Sequence, residues 1–204
     1  MALSVSPPGI GTACAGTVTD MLSRQAARHL AVQELAVVLP RRWRHVRAVG
    51  AQAERLSRLP HVCGELLVAA AWLHDIGYAP RLASTGFHPL DGARFLRHKG
   101  AGDRLASLVA HHSCAVHEAR VRGLEEVLLA EFEREDSPTY DALVFCDLTT
   151  GPDGEQLTYQ ARMDEIDQRY GPAHEVTRAL DLARADLAGC CERTLALVAA
   201  AQVS

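Results

Sequence analysis

Histidine and aspartate stand side by side in AAWLHDIGY, residues 70–78, at the end of an apolar run. A lone carboxylate there faces a desolvation cost of several kcal/mol unless a cation or another positive group lies beside it. A hydrogen bond between His74 and Asp75 would be the plain way to meet that need. The pattern recurs, however, in ALVFCDLTTGPDG, where Asp147 closes a second apolar segment. In HVRAVGAQAERL, His45 shares a helical face with Val49, Ala53 and Leu56, so this imidazole must also bond or coordinate something inside the protein. Nitrogen and oxygen donors on three segments, with no thiolates, describe a site for a hard cation.

Further donors are present for a second ion. His88 precedes Pro89 at a helix start, and His111 and His112 end LASLVAHHS, in which Leu105, Leu108 and Val109 define the inner face. One member of that pair turns inward on this reading. The set then comprises four histidines and two aspartates, enough for two metals bridged by one carboxylate.

These donors need rigid elements behind them, and the sequence supplies helices. A first segment runs from Thr19, as N-cap, to Leu39 before Pro40. Trp43, Val46, Val49, Ala53 and Leu56 recur at helical spacing in a second, which ends near Pro60. The third, about residues 62–74, contains LLVAAAWL and is apolar nearly all round, which marks a central buried helix. Pro89 opens a fourth that runs to Lys99, with His88 near its cap. Residues 102–112 and 124–135 read as two more; Pro138 opens another, and 159–170 and 173–201 complete the set. No period-two strand and no internal repeat is found. The fold class is all-α, an irregular helical bundle. SPPG and the small residues around it make residues 1–18 a flexible tail, and 19–204 a single helical domain.

Composition narrows the partners. The 21 basic and 25 acidic residues give a formal charge of -4, which disfavours bulk nucleic acid. No apolar run reaches the roughly 20 residues that cross a bilayer, and no leader pattern opens the chain, so no membrane association and a cytoplasmic location are expected. The six cysteines include no C-x-x-C pair and read as small apolar side chains in a reducing compartment. Self-association into a homo-oligomer stays open.

His45, the His74–Asp75 doublet in the form HDIG, and Asp147, in that order along an all-helical chain, resemble the HD superfamily of metal-dependent phosphohydrolases. The resemblance covers roughly residues 41–154. Interposed histidines such as His88 and His111 are similar to those of its two-metal members. It implies a first ion on His45, His74, Asp75 and Asp147, with Asp75 bridging to a second held also by His88 and His111. His112 is the ligand if the register of the pair is read the other way. It further implies His74 and Asp75 as the catalytic pair, two divalent ions (Mn, Fe, Ni or Mg), and hydrolysis of a nucleotide or other small phosphorylated metabolite by a metal-activated water. HHSCAVHEARVRG lacks the HHExxDGxGYP signature of members that hydrolyse cyclic dinucleotides.

Substrate-side candidates are His112, Arg44 from the cluster Arg41, Arg42, Arg44 and Arg47, then Tyr78 and Arg81 beyond the doublet, Lys99, and Thr150 in LTTGPDGE. The arginines also suit a solvated helix face, and TTGPDG is turn chemistry in its own right. The runner-up activity is a mixed-valence di-iron oxygenase of the same superfamily, whose ligand set fits equally. A third reading is a helical domain that keeps metal without turnover.

Overall fold

The computed structural model describes residues 22–203. Ten α-helices follow one another among the described residues: α1 (Arg24–Leu35), α2 (Pro40–Leu56), α3 (Gly64–Leu73), α4 (His88–His98), α5 (Asp103–His111), α6 (Ala115–Arg122), α7 (Glu125–Glu131), α8 (Pro138–Leu148), α9 (Tyr159–Tyr170) and α10 (Glu175–Val203). Short 3-10 turns, Ile76–Tyr78 and His112–Cys114, follow α3 and α5. The only β pairing among the described residues is an isolated antiparallel bridge between Thr150 and Gln156. The chain is all-α, as its periodicity predicts.

Local chemistry sets several helix starts. Ser23, Ser137 and Thr158 each accept a hydrogen bond from the backbone N–H three residues on, capping α1, α8 and α9. Proline occupies the first turn of α2, α4 and α8, where its missing N–H costs nothing. Two boundaries differ from expectation. The predicted cap Thr19 and the tail before it lie outside the described residues, and α1 ends at Leu35. The seventh helix stops at Glu131 because Phe132 turns extended and buries its ring. Helix α6 is an addition, entered through Ser113 and Cys114 at φ 51° and 55°, a backbone state that nothing in their side chains announces.

Helix α3 is the centre of the packing. Every residue from Leu66 to Leu73 is buried, against α1, α2, α5 and α8. Fully burying each large apolar side chain stabilises by about 1.5–3 kcal/mol, so Leu66, Leu67, Val68 and Leu73 together outweigh the several kcal/mol needed to desolvate an ion at the helix end. Close approach of α2 depends on Gly50, where a Cβ would stand 2.7 Å from the Trp72 ring. The long α10 closes the other side, on α8 and α6. No helix among the described residues is long and apolar enough to cross a membrane. Cys114, Cys146, Cys190 and Cys191 are free and buried, and Cys63 is buried before α3.

Candidate metal centre

Six donors converge where α2, α3, α4, α5 and α8 meet. His45 lies on the buried face of α2, and His74 ends α3 with Asp75 following it. His88 opens α4, His112 follows α5, and Asp147 is the penultimate residue of α8. The glycine of HDIG has a steric reason: a Cβ on Gly77 would lie 2.0 Å from the carbonyl oxygen of His88, so only glycine lets α4 approach the doublet. Buried Asp91 holds the loop leading to His88. Its carboxylate accepts from the Ser84, Thr85 and Gly86 N–H groups at 3.1, 3.0 and 3.2 Å and from the Thr85 hydroxyl at 2.9 Å.

The donors fall into two groups, His45, His74 and Asp147 on one side and Asp75, His88 and His112 on the other, each drawn within 4.8 Å. His45 Nε2 is 3.0 Å from Asp147 Oδ1 and 3.4 Å from His74 Nε2. His88 Nε2 is 3.2 Å from His112 Nε2. Asp75 spans both groups: Oδ1 lies 3.4 and 3.9 Å from Nε2 of His88 and His112, while Oδ2 lies 3.3 and 3.8 Å from Nε2 of His74 and His45.

Tautomers follow from the neighbours. Nδ1 of His45, His74 and His112 faces the carbonyls of Gly151, Ala71 and Val109 at 3.1, 2.8 and 2.7 Å. Carbonyls only accept, so each Nδ1 carries a hydrogen, and Nε2 is the inward nitrogen left to hold either a second proton or a cation. Bare nitrogens and carboxylate oxygens about 3 Å apart repel unless a proton or cation sits among them. Two nitrogens sharing one ion at about 2.0–2.1 Å stand roughly 3.0–3.4 Å apart, which matches both histidine pairs. The residues present therefore fit divalent cations.

The electrostatics agree. Burial opposes a charged His74, yet Asp75 and Asp147 overcome it and raise the imidazole to about 9. Burial favours neutral Asp75, but the Arg42 guanidinium and His74 hold it well below the usual carboxylate range. Asp147 is lowered in the same way by the His45 hydrogen bond and the His74 charge. For His88 and His112 burial prevails over the carboxylates and keeps both rings neutral. Ser113 donates its hydroxyl to Asp147 Oδ2. It does so from the left-handed region, a strain of about 1–3 kcal/mol that accumulates at functional sites. Tyr140 fixes that turn, donating to the His111 carbonyl at 3.0 Å and accepting from the Cys114 N–H at 3.3 Å.

A cavity of about 110 Å³ opens beside Asp75, His88, His112 and Asp147. Among the predicted substrate-side residues, His112 and Tyr78 line it; the Tyr78 ring stacks on His88 at 3.9 Å. The preference for His111 as ligand is corrected. Its Nε2 donates to the Phe132 carbonyl at 2.9 Å, away from the cluster, and His112 takes the place beside His88. Positions 105, 108, 109 and 112 continue one helical stripe, a signal that favours His112. Four further candidates also lie elsewhere. Arg44 pairs with Asp153 at 2.6 Å on the surface, Arg81 pairs with Glu34, and exposed Lys99 lies over the Phe95 ring. Thr150 is fully buried, with its hydroxyl between Gln52 Oε1 and the Cys146 carbonyl.

Of the arginine cluster named from the sequence, Arg42 and not the favoured Arg44 reaches the site. It donates to Asp75 Oδ2 at 2.8 Å and covers the Tyr78 ring at 4.0 Å. Three residues before His45 on α2, it shares that helix's inner side, which the surrounding arginines disguise.

A family model for the HD domain matches residues 42–186. No curated protein and no solved structure matches the chain. The matched span runs past Gly154 through α9 and into α10, so it takes in the outer wall of the cavity as well as the six donors. The chain belongs to the HD-domain family, whose members are generally metal-dependent hydrolases.

Proposed function

We propose that the protein hydrolyses a phosphoester of a nucleotide or other small phosphorylated metabolite, using two divalent cations. The observation that carries this reading is the divided carboxylate of Asp75, one oxygen toward His88 and His112 and the other toward His74 and His45. A carboxylate so placed suits a ligand shared by two ions. His45, His74, Asp75 and Asp147 would hold one, and Asp75, His88 and His112 the other. When bound, such ions polarise a phosphoryl oxygen and lower the pKa of water toward neutrality.

The chain's own groups supply the remaining requirements. Arg42 keeps Asp75 ionised and offers its other N–H groups to a phosphate entering the cavity that it lines. Tyr78, packed between the Arg42 guanidinium and the His88 ring, fixes both. The backbone carbonyls behind three of the histidines hold each ring in the tautomer that ligation needs. Ile166, Val176, Leu180 and Ala183 form an apolar wall that limits competing water.

The test is phosphate release from a panel of nucleotides and small phosphomonoesters, with the protein loaded in turn with Mn, Fe, Ni and Mg. Release that Asp75→Ala abolishes, together with loss of both ions, supports the proposal. Absence of release under every loading refutes it. So does a mixed-valence iron signal accompanied by dioxygen consumption, which assigns the runner-up oxygenase instead.

A further inference from the structure

One carboxyl on the cavity wall is used by neither group of donors. Glu118 of α6 lines the cavity beside Asp75, His88, His112 and Asp147, yet it belongs to neither converging cluster. Its Oε1 accepts from Arg122 Nε at 2.7 Å. Its Oε2 takes no hydrogen bond and is not sealed from solvent either, so this oxygen looks onto open space. The Tyr78 phenol, whose ring stacks on His88, feels the charge of Glu118: burial pushes that phenol up, Arg42 opposes, and Asp75 and Glu118 add to burial.

The surroundings favour a proton on this carboxyl. Burial raises it above the ordinary carboxylate range, and Arg122 opposes without cancelling the effect. Arg122 is divided, because its terminal nitrogen pairs with Glu175 Oε1 at 2.6 Å and one guanidinium thus serves two carboxylates. Glu175, at the start of α10, adds to the rise, and His174 just before it works against it. Charged groups on the other elements around α6 are engaged elsewhere. Glu125 of α7 pairs with Arg120, and Asp186 of α10 with His117. His112 faces His88, and the Cys114 sulfur faces Tyr140.

Hydrolysis of an alkyl phosphoester needs such a proton, because the departing oxygen is a strong base unless it is protonated as its bond breaks. Other polar groups of the cavity are committed. Asp75 and Asp147 are held ionised, Ser113 donates to Asp147, and guanidinium groups do not release protons. Tyr78 is packed between Arg42 and His88. Tyr170 is the rival donor, its ring held by Arg169 and His174.

We infer that Glu118 is the general acid of the hydrolysis and gives its proton to the departing ester oxygen. This rests on the hydrolase reading. The oxygen of water bonds to phosphorus, the bond from phosphorus to the ester oxygen breaks, and the released electron pair takes the proton from Glu118 Oε2. The products are an alcohol, inorganic phosphate and a Glu118 carboxylate. The proton shed by the water passes to solvent, from which Glu118 is protonated again.

The test uses manganese-loaded protein and three esters. AMP and sn-glycerol 3-phosphate have alkoxide leaving groups that need a proton, whereas p-nitrophenyl phosphate has one that leaves without it. In Glu118→Gln, the ratio of kcat for the better alkyl ester to kcat for p-nitrophenyl phosphate should fall by about 10²- to 10⁴-fold, the usual worth of general acid catalysis, with metal content unchanged. The native rate on the alkyl ester should fall as pH rises through the Glu118 pKa, since only the protonated form acts, and Glu118→Gln should abolish this descending limb. Glu175→Gln, which leaves Arg122 to Glu118 alone, should move the limb to lower pH and keeps the test decisive if Glu118→Gln folds poorly. An unchanged ratio, a limb that neither variant moves, or a larger fall of the ratio in Tyr170→Phe overturns the inference. Cleavage of p-nitrophenyl phosphate alone by the native protein also overturns it. No phosphate from any of the three esters refutes the hydrolase reading and this inference with it, whereas release with an unchanged ratio refutes the Glu118 assignment alone.

Discussion

Replacing Gly77 by alanine should dismantle half of the metal centre. The added methyl would stand 2.0 Å from the His88 carbonyl oxygen and 2.6 Å from the Gly92 nitrogen, whereas Cβ atoms essentially never come within 3.0 Å of such neighbours. Both are backbone atoms, so no side-chain rotation relieves the clash. The turn after Asp75 and the first turn of α4 must part by about 1 Å. Overpacking costs about 1–3 kcal/mol, which lowers the melting temperature of a chain this size by roughly 2–12 °C. The effect on the site is sharper. His88 Nε2 lies 3.4 Å from Asp75 Oδ1, and metal–ligand bonds tolerate only about 0.2 Å. A retreat of about 1 Å takes this imidazole out of the shared position. Calorimetric titration with manganese, followed by metal analysis, should find one ion per chain in place of two. Two ions bound with unchanged melting would refute the steric account of HDIG.

Other outcomes follow from the same geometry. His112→Ala should lose one ion, whereas His111→Ala should keep both and lose about 1–3 kcal/mol of stability for the stranded Phe132 carbonyl, as read by denaturant unfolding. Arg42→Gln should retain both ions and lower kcat by about 100-fold, since it removes a cationic donor aimed at the phosphate; metal analysis beside kinetics separates the two effects. Without metal, His74 is raised from 6.5 to about 9, so its contribution to stability is complete below pH 6.5 and is lost as pH rises through 9. A cation must displace that proton at pH 7. Calorimetry in buffers of different ionisation enthalpy should therefore report proton release, and affinity should rise with pH toward 9.

Much of this architecture was legible in the residues, for definable reasons. The apolar girth of LLVAAAWL required a central helix, and that helix carries His74 and Asp75. Proline at residues 40, 89 and 138 marked three helix starts. His45, His88 and Asp147 were recognisable because each stands on or beside an apolar face. What stayed hidden depends on tertiary context. The left-handed pair Ser113 and Cys114 bends the chain after α5 and aims Ser113 at Asp147, though neither is a glycine. Arg42 is one of four clustered arginines, and only the fold distinguishes it from Arg44, which leans outward to Asp153. Thr150 follows the donor Asp147 closely in sequence, but a turn tucks it against Gln52.

The central claim is that cations, and not mutual hydrogen bonds, reconcile the buried imidazoles and acids. Anomalous diffraction at the manganese edge, from crystals grown with that ion, addresses it most directly. Two peaks are predicted, one within bonding distance of His45, His74 and Asp147, the other of His88 and His112, with an Asp75 oxygen at each. No peak among these groups, with the rings closed on the carboxylates by hydrogen bonds alone, would contradict the account.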